Sequence, residues 1–467
     1  MNTTLKDFTA AQEHQQPILF SGGAIVTMDP TSPDLEAGDL LIKGRQIIAI
    51  GEDLRAEAVY ADLLQAALVV DTHGMILSPG FVDTHRHAWQ SQLRRTIPDV
   101  NDLGSYVNST LAEIAPHYTA EDMYVGTHLA ALSALDCGIT TMLDFSHNSR
   151  TSTHSDQAIQ ALIDSGIRGV HASMGPHFGA WDGQWPSDLG RLVEEFHGSS
   201  NGLVTVRLAA LATADVAGPD LAYKPELWQI AKDLGIGISI DAVFGQSSST
   251  AIHHWEHQNI LDSTVTMIHA TGLTPQAWEV LGRTGTRISL APTSDAQIGL
   301  ETAIPAIDES LAVGIRPGLS IDVEVALSSD MFTQMRALLA IQRMRASNNA
   351  YPEVLENGRL TTRDVLDFAT LQGASSIGLG QITGSLAPGK DADLLLVRAN
   401  DINNMPLNNA VGTLVLGADP RNIEAVLVAG QVRKWAGQLV GVDLDALRKE
   451  TSDSRNSILN RGAKNEQ

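Results

Sequence analysis

The sequence predicts a (β/α)8 barrel carrying a small β-sandwich assembled from both chain ends. Three observations predict it. The middle of the chain alternates short apolar runs with helical patterns and gives eight β segments, spread over about 300 residues, as a parallel sheet closed on itself requires. Both ends read instead as strands and turns with few helical patterns between them. No Gly-x-Gly-x-x-Gly turn opens a helix, which weighs against an open, nucleotide-binding sheet.

In chain order, residues 24–28, 39–42, 46–50 and 68–71 are apolar or β-branched runs separated by Asp-Pro, Lys-Gly-Arg and Gly-Glu-Asp turns. The first barrel strand ends near His85. Thr119-Ala-Glu-Asp122 reads as a capped helix start, with apolar spacing at Met123, Leu129, Leu132 and Leu135 and a stop at Gly138. A strand over 139–145, a helix over 155–165 and strands over 167–172 and 204–211 follow. Pro225 opens a helix to 234, and strands over 236–240 and 265–269 come next. Thr274-Pro275 starts another helix, and 287–290 and 318–321 complete the barrel strands. Runs at 392–397, 423–428 and 431–434 return to β structure. The expected partition is residues 18–78 with 384–440 as the sandwich, 79–383 as the barrel, and 441–467 as a C-terminal tail.

Composition narrows the class. The formal net charge is −23, from 31 Lys+Arg against 54 Asp+Glu, and 43% of residues are hydrophobic. A large core is affordable, disorder is not indicated, and a phosphate backbone is repelled, so no nucleic-acid partner is expected. The single cysteine, Cys137, excludes an intrachain disulfide and a Cys-based zinc site. No run reaches about 18 apolar residues and the N-terminus is polar, so neither a membrane span nor a signal peptide is expected, and the expected location is cytoplasmic.

Barrel chemistry sits where strands end. Those positions hold His85 and His87, then Asp144 and His147, His171, Asp241, His269 and Asp322. His85 and His87 stand two apart on a strand and so share a face. Two imidazoles at a barrel mouth form half a metal site, or else a hydrogen-bonded pair in a polar cleft. His269 and Asp322 supply the remaining N/O donors and leave a position open for water or substrate.

Pro79-Gly-Phe-Val-Asp-Thr-His85-Arg-His87 resembles the first-strand metal motif of the amidohydrolase superfamily. Gly384-Ser-Leu-Ala-Pro-Gly-Lys-Asp-Ala-Asp393-Leu and Val426-Leu-Val-Ala-Gly430-Gln-Val resemble its barrel exit and the closing strands of its sandwich. The chain is similar to the branch holding chlorotriazine hydrolases and nucleobase or S-adenosylhomocysteine deaminases. The resemblance implies a divalent metal, zinc or iron, one per chain, held by His85, His87, His269 and Asp322. It also implies that Asp322 takes a proton from the attacking water, while His269 either binds metal or polarises the substrate. A small-molecule substrate and a homo-oligomer are implied as well.

Two departures stand out. The family's fifth-strand histidine is replaced by Asp241, a harder ligand that shifts preference toward iron or manganese. The Glu expected three residues later is Phe244. A second reading follows from Asp144, His147, His171 and His177. If they join His85 and His87, the mouth holds two metals, as in dinuclear iron oxygenases on a similar scaffold, some acting on coenzyme A thioesters. Otherwise His147 and His171 line the pocket or satisfy loop carbonyls.

Other features are weaker. His253 and His257 share a helix face but have the wrong spacing for His-Glu-x-x-His. Trp89, Gln90 and Arg94 either face substrate or pack. Trp181 and Trp185 are candidates for an apolar lid, Cys137 for core, and Arg336 for pairing a substrate carboxylate. The expected function is metal-dependent hydrolysis of a C–N or related bond in a small, possibly cyclic substrate, with the oxygenase as alternative.

Overall fold

The computed structural model describes residues 3–300, 302–350 and 358–465. Eight strands form one parallel sheet in chain order: Phe81–Arg86, Ile139–Ser146, Arg168–Ser173, Val204–Leu211, Ile238–Ala242, Val265–His269, Arg287–Leu290 and Gly318–Leu319. Strands covered on both sides lose the apolar–polar alternation of half-exposed ones. Accordingly, all eight residues of Ile139–Ser146 and all six of Arg168–Ser173 are buried.

The eighth strand is shorter than the expected 318–321, with only two residues in regular pairing. The barrel closes on the first strand by other bonds. Thr84 Oγ1 donates to the Leu319 carbonyl at 2.8 Å, Asp322 N–H to the His85 carbonyl at 3.0 Å, and His87 N–H to the Asp322 carbonyl at 3.1 Å. That irregular seam brings Asp322 beside the two histidines.

The second sheet interleaves the two ends of the chain. Its order runs Gln438–Leu439, Gln431–Trp435, Ile423–Val428, Leu394–Arg398, Met75–Pro79, Ile18–Ile25, Leu35–Lys43 and Gln46–Gly51, with Leu68–Asp71 also on Ile18–Ile25. The join is the antiparallel pairing of Met75–Pro79 with Leu394–Arg398. Phe8, Phe20, Leu40, Leu394 and Leu427 are buried in a core of its own.

Two arginines clamp this sheet to the barrel. Arg168, at the start of the third barrel strand, donates to Asp393 at 2.8 Å and Asp391 at 2.6 Å, and Arg45 reaches Asp391 at 2.6 Å. Beyond residue 440 the described chain carries a helix, Leu444–Asn465. It buries Ile458 and pins Asp122 through Ser454 Oγ, at 2.7 Å, and Arg461. Among the described residues, no helix is long and apolar enough to cross a membrane.

Candidate metal and active site

His85 and His87 leave the first barrel strand with ring centroids 4.6 Å apart, and the His269 ring lies 5.7 Å from that of His85. Asp322 Oδ1 sits 3.1 Å from His85 Nε2 and 3.3 Å from His87 Nε2. His269 Nε2 lies 3.8 Å from Asp241 Oδ1 and 3.8 Å from Asp322 Oδ2. The ligand atoms form two triads that share His85: His85, His87 and Asp241, and His85, His269 and Asp322. Within each triad, they fall within 4.8 Å of one another. His269 at φ 61° and Asp322 at φ 67° are in the left-handed region, unusual for such residues, and local strain of this kind marks sites where geometry is imposed.

The donor set fits a divalent cation. It offers imidazole and carboxylate groups with no thiol or amine among them. The buried Asp241 Oδ1 has no hydrogen-bond partner, although it faces this cluster, and buried acceptors are rarely left unpaired without a reason.

Electrostatics bind the groups together. Burial alone would raise the Asp322 carboxyl, but hydrogen bonds from His85 and His87 and the charge of His269 hold it well below the ordinary range. Burial would also strip the His269 proton. The bond to Asp295, with Asp322 and Asp241 nearby, outweighs it and raises His269 to about 10. Burial lowers His85.

Asp295 escaped the sequence reading. It lies in Pro292–Gln297 after the seventh strand, and its Oδ1 is 2.7 Å from His269 Nδ1. The adjacent Ser294 donates to Asp322 Oδ2. The signal in the sequence is the end of the seventh strand, which Ser294 and Asp295 closely follow. Behind His85 and His87, the buried Arg86 pairs with Asp83 at 2.7 Å and Glu324 at 3.0 Å, and Arg94 also reaches Glu324. Burial pushes Asp83 up to about 6 despite Arg86.

The second cluster divides. The Phe145 ring lies 5.0 Å from His85 and 5.5 Å from His87, so Phe145 faces the site. Alternation turns the preceding Asp144 the other way, and His171 is its in-register neighbour. These two pair with each other at 3.3 Å, and Asp144 Oδ1 accepts from Ala88 N–H. Neither lines the mouth.

His147 and His177 do line it. The His147 ring is 4.1 Å from that of His87, and the His147 and His177 Nδ1 atoms are 3.1 Å apart. Burial and neighbouring His87 push His177 down to about 3, so it is neutral. Among the described residues, the groups able to hold a metal do not include Asp144, His147, His171 or His177.

Trp89 and Gln90 are buried behind the wall. Trp89 packs 4.8 Å from Tyr118, and Gln90 Nε2 donates to the Tyr106 hydroxyl at 2.8 Å. Tyr106 itself lines the pocket, with Val107, Leu111, Phe244, Ile298 and Leu300. The spacing of Leu103, Tyr106, Val107 and Leu111 was a legible helix face. Trp185 is buried and donates to the Ser173 carbonyl at 2.9 Å, so it is wall packing and not a lid. Trp181 packs over Gly175. Arg336 is spent on the carbonyls of Val415 and Ala418, which corrects its expected pairing with a substrate. His253 and His257 lie on the helix Gly245–His257, outside the pocket lining.

Comparison with known proteins bears on this geometry. A family model described as the amidohydrolase family matches residues 76–433. The chain is 26% identical over 432 residues to a 5-methylthioadenosine/S-adenosylhomocysteine deaminase of Desulfitobacterium hafniense, covering 90% of this chain and 94% of that one. It is 26% identical over 427 residues to a 5'-deoxyadenosine deaminase of Methanobrevibacter smithii, covering 88% and 92%. Among solved structures, an adenosine deaminase from Xanthomonas campestris with bound zinc superposes with a TM-score of 0.79 at 18% identity, covering 95% and 98%. An atrazine chlorohydrolase from Arthrobacter aurescens complexed with zinc superposes at 0.77 and 22%, covering 94% and 99%.

Proposed function

The chain belongs to the amidohydrolase family, and from that premise we propose that it removes an amino group by hydrolysis from a small nitrogen heterocycle. Its chemistry is hydrolysis of C–N bonds other than peptide bonds. One observation carries the reading: two donor triads share His85 at the C-terminal mouth of the barrel.

His85, His87, Asp241 and Asp322 would hold one divalent cation per chain, zinc or iron, with His269 beside it. Such an ion, when bound, lowers the pKa of a coordinated water, toward about 7 in the case of zinc. Asp322 accepts the proton of the attacking water and passes it to the departing amine. His269 is oriented by Asp295 and presents Nε2 to the reacting centre. Phe244 puts an aromatic wall where the family resemblance implies a Glu, so Asp322 handles the proton without that second acid. The lining residues include no lysine or arginine, which suits an uncharged ring substrate.

The oxygenase alternative has no support, because Asp144 and His171 face away from the mouth. The same reading takes residues 79–383 as the barrel domain and 18–78 with 384–440 as the sandwich domain, in a cytoplasmic homo-oligomer. Fractionation and gel filtration test the last two. The function is tested by ammonia release from metal-loaded protein offered 5'-deoxyadenosine, 5-methylthioadenosine, aminopyrimidines and aminotriazines. Release from at least one, abolished in Asp322→Asn, is expected. No release from any of them would overturn the reading.

A further inference from the structure

At the opposite end of the barrel, a second cavity of about 600 Å³ opens among the N-terminal ends of the fourth, fifth and sixth strands, the helix Pro225–Leu234 and residues 377–382. Arg207, Lys232 and His197 line it, against one acid, Asp262. Asp262 Oδ1 is already engaged by the N–H of Thr264 at 2.7 Å and by its hydroxyl at 2.5 Å.

Arg207 is the unusual member. It is 5% exposed, and its acceptors are all neutral: Ser239 Oγ, Thr266 Oγ1 and the carbonyls of Ile238, Thr264 and Ile377. The buried Arg86 and Arg168 each meet two carboxylates. Arg150 likewise meets only carbonyls, those of Ala115, Phe178 and Ala180, but it does not line this cavity. A buried cation without a counter-charge is costly, and burial pushes the Arg207 guanidinium down to about 10.

The bonds of Arg207 occupy Nε and Nη2 and leave one Nη1 N–H without an acceptor among the described residues. A Cβ at Gly237 would sit 2.3 Å from Nη1, so glycine is needed for the guanidinium to pass, and one at Gly378 would lie 4.0 Å from it. Two further donors face the same space. His197 Nδ1 accepts the Val206 N–H at 3.2 Å, which leaves Nε2 as the protonated nitrogen. The Lys232 ammonium stands 4.4 Å from the centre of the Trp228 ring, on the cavity wall.

We propose that this cavity is an anion site, in which Lys232, His197 and the remaining Nη1 N–H of Arg207 bind the phosphate group of a small phosphorylated molecule. Planar, charge-assisted donors suit tetrahedral oxyanions, and the site is separate from the hydrolytic mouth.

The probe is inorganic phosphate, titrated calorimetrically into metal-loaded, full-length protein at constant ionic strength with chloride as control. Saturable binding at or below about 1 mM is expected, weakened about tenfold or more in Lys232→Glu and in Arg207→Met. If Arg207→Met does not fold, Lys232→Glu decides alone, since that side chain is exposed. Absence of saturable binding, an equal response to chloride, or an unchanged affinity in Lys232→Glu would overturn the proposal. Phosphate captured by the metal itself would give that last result.

Discussion

A carboxylate bonded to the far nitrogen of an imidazole decides which nitrogen is free for chemistry, and losing it typically costs about 10- to 100-fold in affinity or activity. Asp295 stands in that relation to His269. Asp295→Asn is therefore expected to keep the far-ultraviolet circular dichroism of the parent while turnover falls by about that factor. Wild-type turnover would show that His269 is oriented by other means. His85, His87 and His269 were legible in the sequence because each stands at a strand end, and Asp322 because it follows the apolar run 318–321. Asp295 was not, because it lies inside the short helix that follows one.

At the scale of the element, the informative failure is strand parity. Every position of Ile139–Ser146 is buried, so no polar alternation shows which residues look inward. The structure supplies the answer through the Phe145 ring on His85, which sends Asp144 and His171 to the other side. His171→Asn should consequently leave bound metal at the wild-type ratio, whereas His87→Asn should reduce it, both read by elemental analysis. Loss of metal in His171→Asn would mean that the third strand contributes a ligand after all. The eight-strand alternation was readable because turn residues and caps punctuate it. The seam between the first and eighth strands was not, because it is held by irregular bonds of the kind seen at Thr84 and Asp322.

Across the whole molecule, the sandwich and barrel are held in register by buried charge. Burial would raise Asp391, but bonds to Arg45 and Arg168 outweigh it and lower its pKa. A depressed carboxyl stabilises the fold above its unfolded value of about 3.9 and loses that contribution as pH falls through the folded value. Thermal stability should thus hold near neutrality and decline below about pH 4. Arg168→Met leaves two buried carboxylates to Arg45, so it should cost about 3–5 kcal/mol at neutral pH and flatten the acid limb. Denaturant melts across pH check both, and a variant as stable as the parent would contradict the clamp.

The proposed convergence of His85, His87, Asp241 and Asp322 on a common cation, with His269 beside it, is tested most directly by metal stoichiometry of the purified chain beside its His85→Asn variant, since His85 belongs to both triads. One divalent ion per chain in the parent and almost none in the variant is the predicted result. Two ions per chain, or equal loading of both proteins, would contradict it.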